Sequence, residues 1–485
     1  MKKFMTLGFV ALTAMGMGSN AFAQVGEPFI HDPATVVECD GKYYTFGTGG
    51  GGLISDDGWT WRGGAVRPGG GAAPDAMKIG DRYLVAYSAT GGGAAIGHRG
   101  SILVMWNKTL DPNSPDFEFS EPITVATSEN FEDCDAIDAG LCMGPDGRLW
   151  LTYGTYFGHI RVCELDPKTG KRIEGNEAVD VAISCEGSYM TYKDGWYYLT
   201  ATHGTCCDSS NSTYCIIVGR SKSPTGPFID NVGRDMMQGG GKLVFASENR
   251  RIGAGHMGRI VVGDGVEKMS FHFESDLDMG ARSTLGIRPI VWKNGWPTAG
   301  EILADGNYGI VSERRGYALE LAVKTTRMQG AMRGMGGWGP QANMEIKPLP
   351  NQSLDDVLDT WPKGNIDLRI GADMFRPHQD WSIVAVPELG GYLGGPCYKI
   401  VINGTDRVLA ATADKEVTTV EGFTGAPEQL WKIEQLTDGT WRIMPKAVPG
   451  TDEELALVAV ADSTPALGKF DYNSDNCKWS FRIHE

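Results

Sequence analysis

A turn glycine followed by a short aromatic-rich strand recurs five times before residue 271, and this repeat constrains the fold more than any other feature. The copies are Gly41-Lys42-Tyr43-Tyr44-Thr45-Phe46, Gly80-Asp81-Arg82-Tyr83-Leu84-Val85, Gly147-Arg148-Leu149-Trp150-Leu151-Thr152, Gly195-Trp196-Tyr197-Tyr198-Leu199-Thr200 and Gly265-Val266-Glu267-Lys268-Met269-Ser270. Each predicts the second strand of a hairpin, with alternate side chains on opposite faces. Helical periodicity is almost absent, and 67 glycines supply turns throughout. Five irregularly spaced hairpins of this kind predict a radial array of small sheets. The expected fold is all-β: a five-bladed β-propeller over residues 24–327, followed by a smaller all-β domain.

Counting back from the turn glycines exposes a second regularity. Nine residues before Gly41, Gly147, Gly195 and Gly265 stand Asp32, Asp138, Glu186 and His256, and only the second copy breaks the pattern, with Gly71. In a propeller the first strand of each blade lines the central channel, so one register presents three carboxylates and an imidazole to a shared axis. Glycoside cleavage needs such a set: one protonated carboxyl for the leaving oxygen and one ionised carboxylate for water or the sugar carbon. Crowded like charges raise the pKa of at least one member, keeping an acid protonated near neutral pH. The competing readings are turn formers and caps, which suit any single carboxylate as well, and a divalent-metal cage.

Charge and leader narrow the partners. The net charge of −16 argues against nucleic acid and anionic membranes as partners, whereas a neutral polysaccharide is indifferent to it. Lys2-Lys3, the apolar run Phe4 to Met17 and Ala21-Phe22-Ala23 read as a signal peptide over residues 1–23, so the expected protein is secreted or periplasmic. No cysteine stands directly after the cleavage site, which argues against a lipid anchor, and no later apolar run is long enough to span a membrane. Ten cysteines in such a compartment predict structural disulfides. Cys206-Cys207 is an adjacent pair, and no zinc-type spacing occurs.

At the axial residues the chain resembles a known family. His31-Asp32-Pro33-Ala34, Ala136-Ile137-Asp138 and Cys185-Glu186-Gly187-Ser188-Tyr189 are similar to the three acidic motifs of family 43 glycoside hydrolases. Cys206-Cys207 leading to Ser212-Thr213-Tyr214, Val218-Gly219-Arg220-Ser221, Thr225-Gly226-Pro227-Phe228, Gly253-Ala254-Gly255-His256 and Leu285-Gly286-Ile287-Arg288-Pro289 resemble its arabinanase-like members, and the likeness runs from about residue 29 to 298. The resemblance implies an inverting hydrolase of arabinofuranosyl linkages in plant-wall polysaccharide, an arabinanase or α-L-arabinofuranosidase. It implies Asp32 as general base, Glu186 as general acid, and Asp138 as the residue that orients Glu186 and raises its pKa. It also implies an axial calcium ligated by His256, with His272 a weaker candidate, and no organic cofactor. Two departures bear on substrate: the second blade reads Ala72-Ala73-Pro74-Asp75 where relatives carry a stacking tryptophan, and Gly187-Ser188 lacks the usual proline. The alternatives are a related hydrolase of xylosides or galactosides and a non-catalytic carbohydrate-binding propeller.

Met328 to Pro340 is rich in methionine and glycine and reads as a linker or rim loop, residues 328–341. Beyond it Gln379-Asp380-Trp381, Gln429-Leu430-Trp431 and Lys478-Trp479 recur at intervals of 50 and 48 residues. This spacing resembles a ricin-type β-trefoil over residues 342–485, with the tryptophans in its core. A monomer is expected.

Overall fold

The computed structural model describes residues 24–90, 100–128, 135–154, 158–323, 353–460 and 464–484. The leader and the Met/Gly-rich stretch lie outside them. Four antiparallel strands build each of five blades. Blade 1 comprises Val37–Cys39, Lys42–Phe46, Gly51–Ser55 and Thr60–Val66, with Val25–Gly26 added in parallel on its edge. Blades 2 to 5 begin at Ala72–Ile79, Ile137–Met143, Glu186–Lys193 and Arg251–Gly263. All five predicted hairpin strands are the second strands of their blades: Lys42–Phe46, Arg82–Thr90, Leu149–Gly154, Trp196–His203 and Val266–Asp276.

Those second strands are buried on both faces, because each blade is sandwiched between two neighbours. Separate apolar clusters fill the seams: Leu84, Ile102 and Val104 against Leu141 and Leu151 between blades 2 and 3, and Val218 against Met269 and Phe271 between blades 4 and 5. Blade 5 meets the start of the chain through Leu285 and Ile287 against Ile30 and Val36. Backbone hydrogen bonds from Ile30 to Ser283 and from Leu285 to Pro28 close the ring.

The boundary of the second domain differs from expectation. Gly306–Ser312 pairs with Trp479–Ile483 near the end of the chain, and Tyr317–Leu321 pairs with Ile366–Ala372. The seam therefore falls between Ala299 and Gly306, not at 327, and the Met/Gly-rich stretch interrupts the second domain instead of preceding it. Twelve of the fourteen strands described there form three repeats of four, ending in Trp381–Ala385, Trp431–Gln435 and Trp479–Ile483. In each repeat the leading tryptophan is fully buried and its indole N–H donates to the second strand, at Leu319 O (2.9 Å), Leu409 O (3.0 Å) and Leu457 O (2.8 Å). The domain docks on the turn Asp264-Gly265 of blade 5 and on Asp57-Gly58 of blade 1, at the end of the blades opposite the axial carboxylates. Buried Lys268 pairs there with Glu434, which Arg442 also holds.

No disulfide joins two of the nine described cysteines, so the expected bridges are not seen among them. Six of them are buried between strands as small apolar groups.

Candidate functional site

A bulge re-aims the first strand of blades 2 to 5 at the axis. The pairing register slips by one residue between Ala72 and Asp75, Ile137 and Gly140, Glu186 and Tyr189, and Gly255 and Gly258. The first bulged residue has positive φ in every case: Ala73 (41°), Asp138 (60°), Gly187 (53°) and His256 (55°). Asp32 (49°) takes the same conformation in the bend before blade 1. Such conformations are uncommon for residues other than glycine and mark places where a strand is bent to present a side chain.

A ring of hydrogen bonds holds these five positions. The N–H of each donates to a side chain of the preceding blade: Ala73 to Thr48 Oγ1 (3.1 Å), Asp138 to Ser88 Oγ (2.9 Å), His256 to Thr202 Oγ1 (3.0 Å) and Asp32 to His272 Nδ1 (2.7 Å). Blade 3 ends its second strand with Gly154, which has no side chain to offer. Asp138 itself takes that place, and its Oδ2 accepts the Gly187 N–H at 3.1 Å. Asp138 is thus fixed against the backbone beside Glu186. Glu186 stands one residue ahead of its bulge, so the shared count of nine does not mean one shared backbone position. A Cβ on Gly187 would come within 2.9 Å of His256 Cε1, so the imidazole occupies the space that glycine leaves.

The three carboxylates are buried and differ in protonation. Burial pushes Glu186 up, and Asp138 beside it adds to the rise, to about 8. Asp138 is also raised, by burial first and by Asp32, with His256 opposing. Burial acts in the same direction on Asp32, but His256 and His31 outweigh it and hold that carboxyl well below the usual range. The His256 ring lies between two of them, Nδ1 3.0 Å from Asp32 Oδ1 and Nε2 3.9 Å from Asp138 Oδ1. Neither contact has hydrogen-bond geometry, so both ring nitrogens are without a hydrogen-bond partner. Burial opposes a charge on this ring, but Asp32 and Asp138 outweigh it and raise its pKa to about 9; a divalent cation would take the place of the proton on one of these nitrogens, among the same carboxylates. The residues whose ligand atoms already converge are others, however: His31 with Asp32 and His272, and His31 with Cys207 and Glu274, each set within 4.8 Å.

Further groups around the axis are brought in by the fold and carry no register signal in the sequence. Tyr214, on the far side of blade 4, donates its hydroxyl to Glu186 Oε1. Gly255 makes room for it, since a Cβ there would meet the tyrosine ring at 2.7 Å. Thr48 donates to Asp32 Oδ2 at 2.6 Å. His31 places Nδ1 2.9 Å from the same oxygen and Nε2 2.9 Å from Glu274 Oε1. Burial opposes a charge on His31, but Asp32 and Glu274 outweigh it and raise its pKa to about 11. His272, fully buried, is a core histidine whose Nδ1 accepts the Asp32 N–H, which places its proton on Nε2, 3.1 Å from Glu274 Oε1. Asp75 is a further axial carboxylate used structurally, accepting the N–H groups of Thr35 (3.0 Å) and Leu141 (2.8 Å) and so tying blade 2 to blades 1 and 3.

The family model described as glycosyl hydrolases family 43 matches residues 45–297. An extracellular exo-α-(1→5)-L-arabinofuranosidase of Cellvibrio japonicus is 30% identical over 306 residues, 56% of this chain and 86% of its own length. An extracellular endo-α-(1→5)-L-arabinanase of Bacillus subtilis is 30% identical over 47% of this chain and 68% of its own. Among solved structures, an exo-1,5-α-L-arabinanase from a bovine ruminal metagenomic library superposes with a TM-score of 0.51 at 30% identity, covering 56% of this chain and 97% of that one. The α-L-arabinanase of Cellvibrio cellulosa in complex with arabinohexaose gives 0.50 at 27% identity, over 57% and 96%.

Proposed function

The chain belongs to family 43 of the glycosyl hydrolases, and from that premise we propose that it cleaves α-L-arabinofuranosyl linkages of arabinan-type polysaccharide with inversion of configuration. The observation that carries the reading is the split protonation of the axis: Asp32 held ionised and Glu186 held protonated near neutral pH. Asp32, fixed by Thr48 and His31, takes a proton from the attacking water. Glu186 gives its proton to the leaving oxygen. Asp138, immobilised on the Gly187 N–H, raises the Glu186 pKa by like charge and holds the segment that carries it. Relatives with arabinanase and arabinofuranosidase activity support the sugar. Their extracellular setting, together with a leader-like start, supports action outside the cytoplasm. Among the described residues no helix is long and apolar enough to cross a membrane.

His256 would hold the axial calcium, whose positive charge would stabilise the neighbouring carboxylates and order water there. Metal analysis of the purified protein is expected to find one ion per chain, and an empty axis in anomalous scattering would remove the site. The three repeats with equivalent tryptophan hydrogen bonds support a β-trefoil for the second domain, spanning about 302–484. One chain supplies the whole axial set, which supports a working monomer.

The test is product analysis on debranched arabinan, branched arabinan and xylan, with proton NMR of the first-formed anomer. Release of arabinose or arabino-oligosaccharides with inverted configuration is expected. Inversion requires room for water, so Asp32 and Glu186 should stand about 6.5–9.5 Å apart in a substrate complex. A retained anomer would overturn the role given to Asp32, and hydrolysis of xylan alone would overturn the sugar.

A further inference from the structure

Two thiols at the rim of the site have no part in the chemistry above. Cys206 and Cys207 lie between the second and third strands of blade 4, with their Sγ atoms 2.8 Å apart. Cys207 is the one exposed cysteine among those described, and Cys206 is half-buried. Cys207 has φ 60°, a conformation that a residue with a side chain rarely adopts. Its N–H donates to Glu274 Oε2 at 2.8 Å. The other oxygen of that carboxylate receives His31 Nε2 at 2.9 Å, and His31 Nδ1 is 2.9 Å from Asp32 Oδ2. One buried glutamate therefore joins the thiol loop to the axial aspartate.

We propose that Cys206 and Cys207 are a redox modification site that closes to a vicinal disulfide, and that Glu274 and His31 relay the state of this ring to the position of Asp32. Closure breaks two S–H bonds and forms one S–S bond. The two electrons pass to a disulfide oxidant such as oxidised glutathione, whose own S–S bond breaks, and the two protons go to its released thiols. The exposed Cys207 sulfur attacks first, because burial and the second sulfur push the Cys206 thiol up. Consecutive Cα atoms are about 3.8 Å apart, shorter than the roughly 4.4–6.8 Å of ordinary disulfides, so the bridge is strained and readily reduced. Closing the ring must turn the Cys207 peptide, and with it the N–H that anchors Glu274. The bridge itself stands apart from any role of Asp32. Only the kinetic consequence rests on the reading of Asp32 as base.

The experiment uses the full chain, purified without reductant, treated with oxidised glutathione, and alkylated with iodoacetamide before or after reduction. The peptide carrying both cysteines should be two hydrogens lighter and unalkylated before reduction, and doubly alkylated after it. Two alkylated sulfurs before reduction would overturn the bridge, as would a persistent glutathione adduct. Protection lifted by a chelator and not by a reductant would mean that His31, Cys207 and Glu274 hold a metal ion, and would also overturn it. On an arabino-oligosaccharide, reduction should change kcat by roughly tenfold with KM unchanged, since small displacements of a catalytic group cost up to about 10²-fold. Cys206→Ser should abolish that response. A bridge that forms without any change in kcat would overturn the relay. Failure of the underlying reading is recognised separately, by full activity in Asp32→Asn.

Discussion

Replacing Tyr214 with phenylalanine isolates a single hydrogen bond to Glu186, the proposed acid. The ring keeps its place, stacked at 10° on His272 with centroids 6.2 Å apart, and only the hydroxyl that reaches Glu186 Oε1 is lost. That hydroxyl is a donor, so it favours the ionised glutamate. Its removal leaves burial and Asp138 less opposed. A hydrogen bond to a charged group contributes about 1.5–3 kcal/mol, and one pKa unit corresponds to about 1.4 kcal/mol. The Glu186 pKa should therefore rise from about 8 by roughly 1–2 units. The acid works protonated: its activity is complete below its pKa and is lost as pH rises through it. The alkaline limb of kcat/KM for an arabino-oligosaccharide, near pH 8 in the wild type, should therefore move upward in Tyr214→Phe. Initial rates over about pH 5–10 would measure it. A limb that stays in place or moves to lower pH would refute the argument, either because Glu186 is not the acid or because Tyr214 does not bind its charged form.

Two other substitutions separate chemistry from architecture. Glu186→Gln should lower kcat on natural oligosaccharides by roughly 10²–10⁴-fold while largely sparing an aryl arabinofuranoside whose leaving group needs no proton; equal losses on both substrates would deny Glu186 the acid role. Asp75→Ala leaves the buried N–H groups of Thr35 and Leu141 without acceptors, at about 1–3 kcal/mol each, so the thermal midpoint should fall by several degrees. An unchanged melting curve would remove Asp75 as the tie between blades 1, 2 and 3.

The propeller was legible because its strongest sequence signal coincides with its most buried element. Tyr44, Leu84, Leu151, Leu199 and Met269 all belong to second strands packed on both faces, where aromatic and branched residues are required. The boundary of the second domain was misplaced for the opposite reason. Gly306–Ser312 and Tyr317–Leu321 carry no tryptophan, and the conspicuous Met/Gly-rich stretch draws the eye to a later point. What assigns these strands is the partner at Leu319 O for the Trp381 indole, a contact across 62 positions that no local pattern announces. No bridge joins two of the described cysteines, because an even count records an opportunity for pairing, whereas pairing needs sulfurs on facing elements. Six of the nine described cysteines are instead packed in cores.

The count of nine that picks out the axial residues has a less uniform physical basis than its regularity suggests. From the bulged residue to the turn glycine there are nine positions in blades 3 and 5, eight in blade 4 and seven in blade 2: Asp138 to Gly147, His256 to Gly265, Gly187 to Gly195, Ala73 to Gly80. Blade 3 has a five-residue turn and blade 5 a second bulge near Val261, and each adds length to the count. Blade 4 has a two-residue turn and gains nothing. Glu186 falls on the same count only because it precedes the bulge by one residue. That shift gives the acid a different backbone position from Asp138, and it leaves the bulge to a glycine over which His256 can lie. The partners that tune the acid and base could not be found by any count along the blades. Tyr214 comes from a third-strand approach, Thr48 from a loop, and Glu274 from the second strand of blade 5, and they meet only because the ring closes. Repetition in the chain thus locates the carboxylates, and the departures from repetition decide which of them holds a proton.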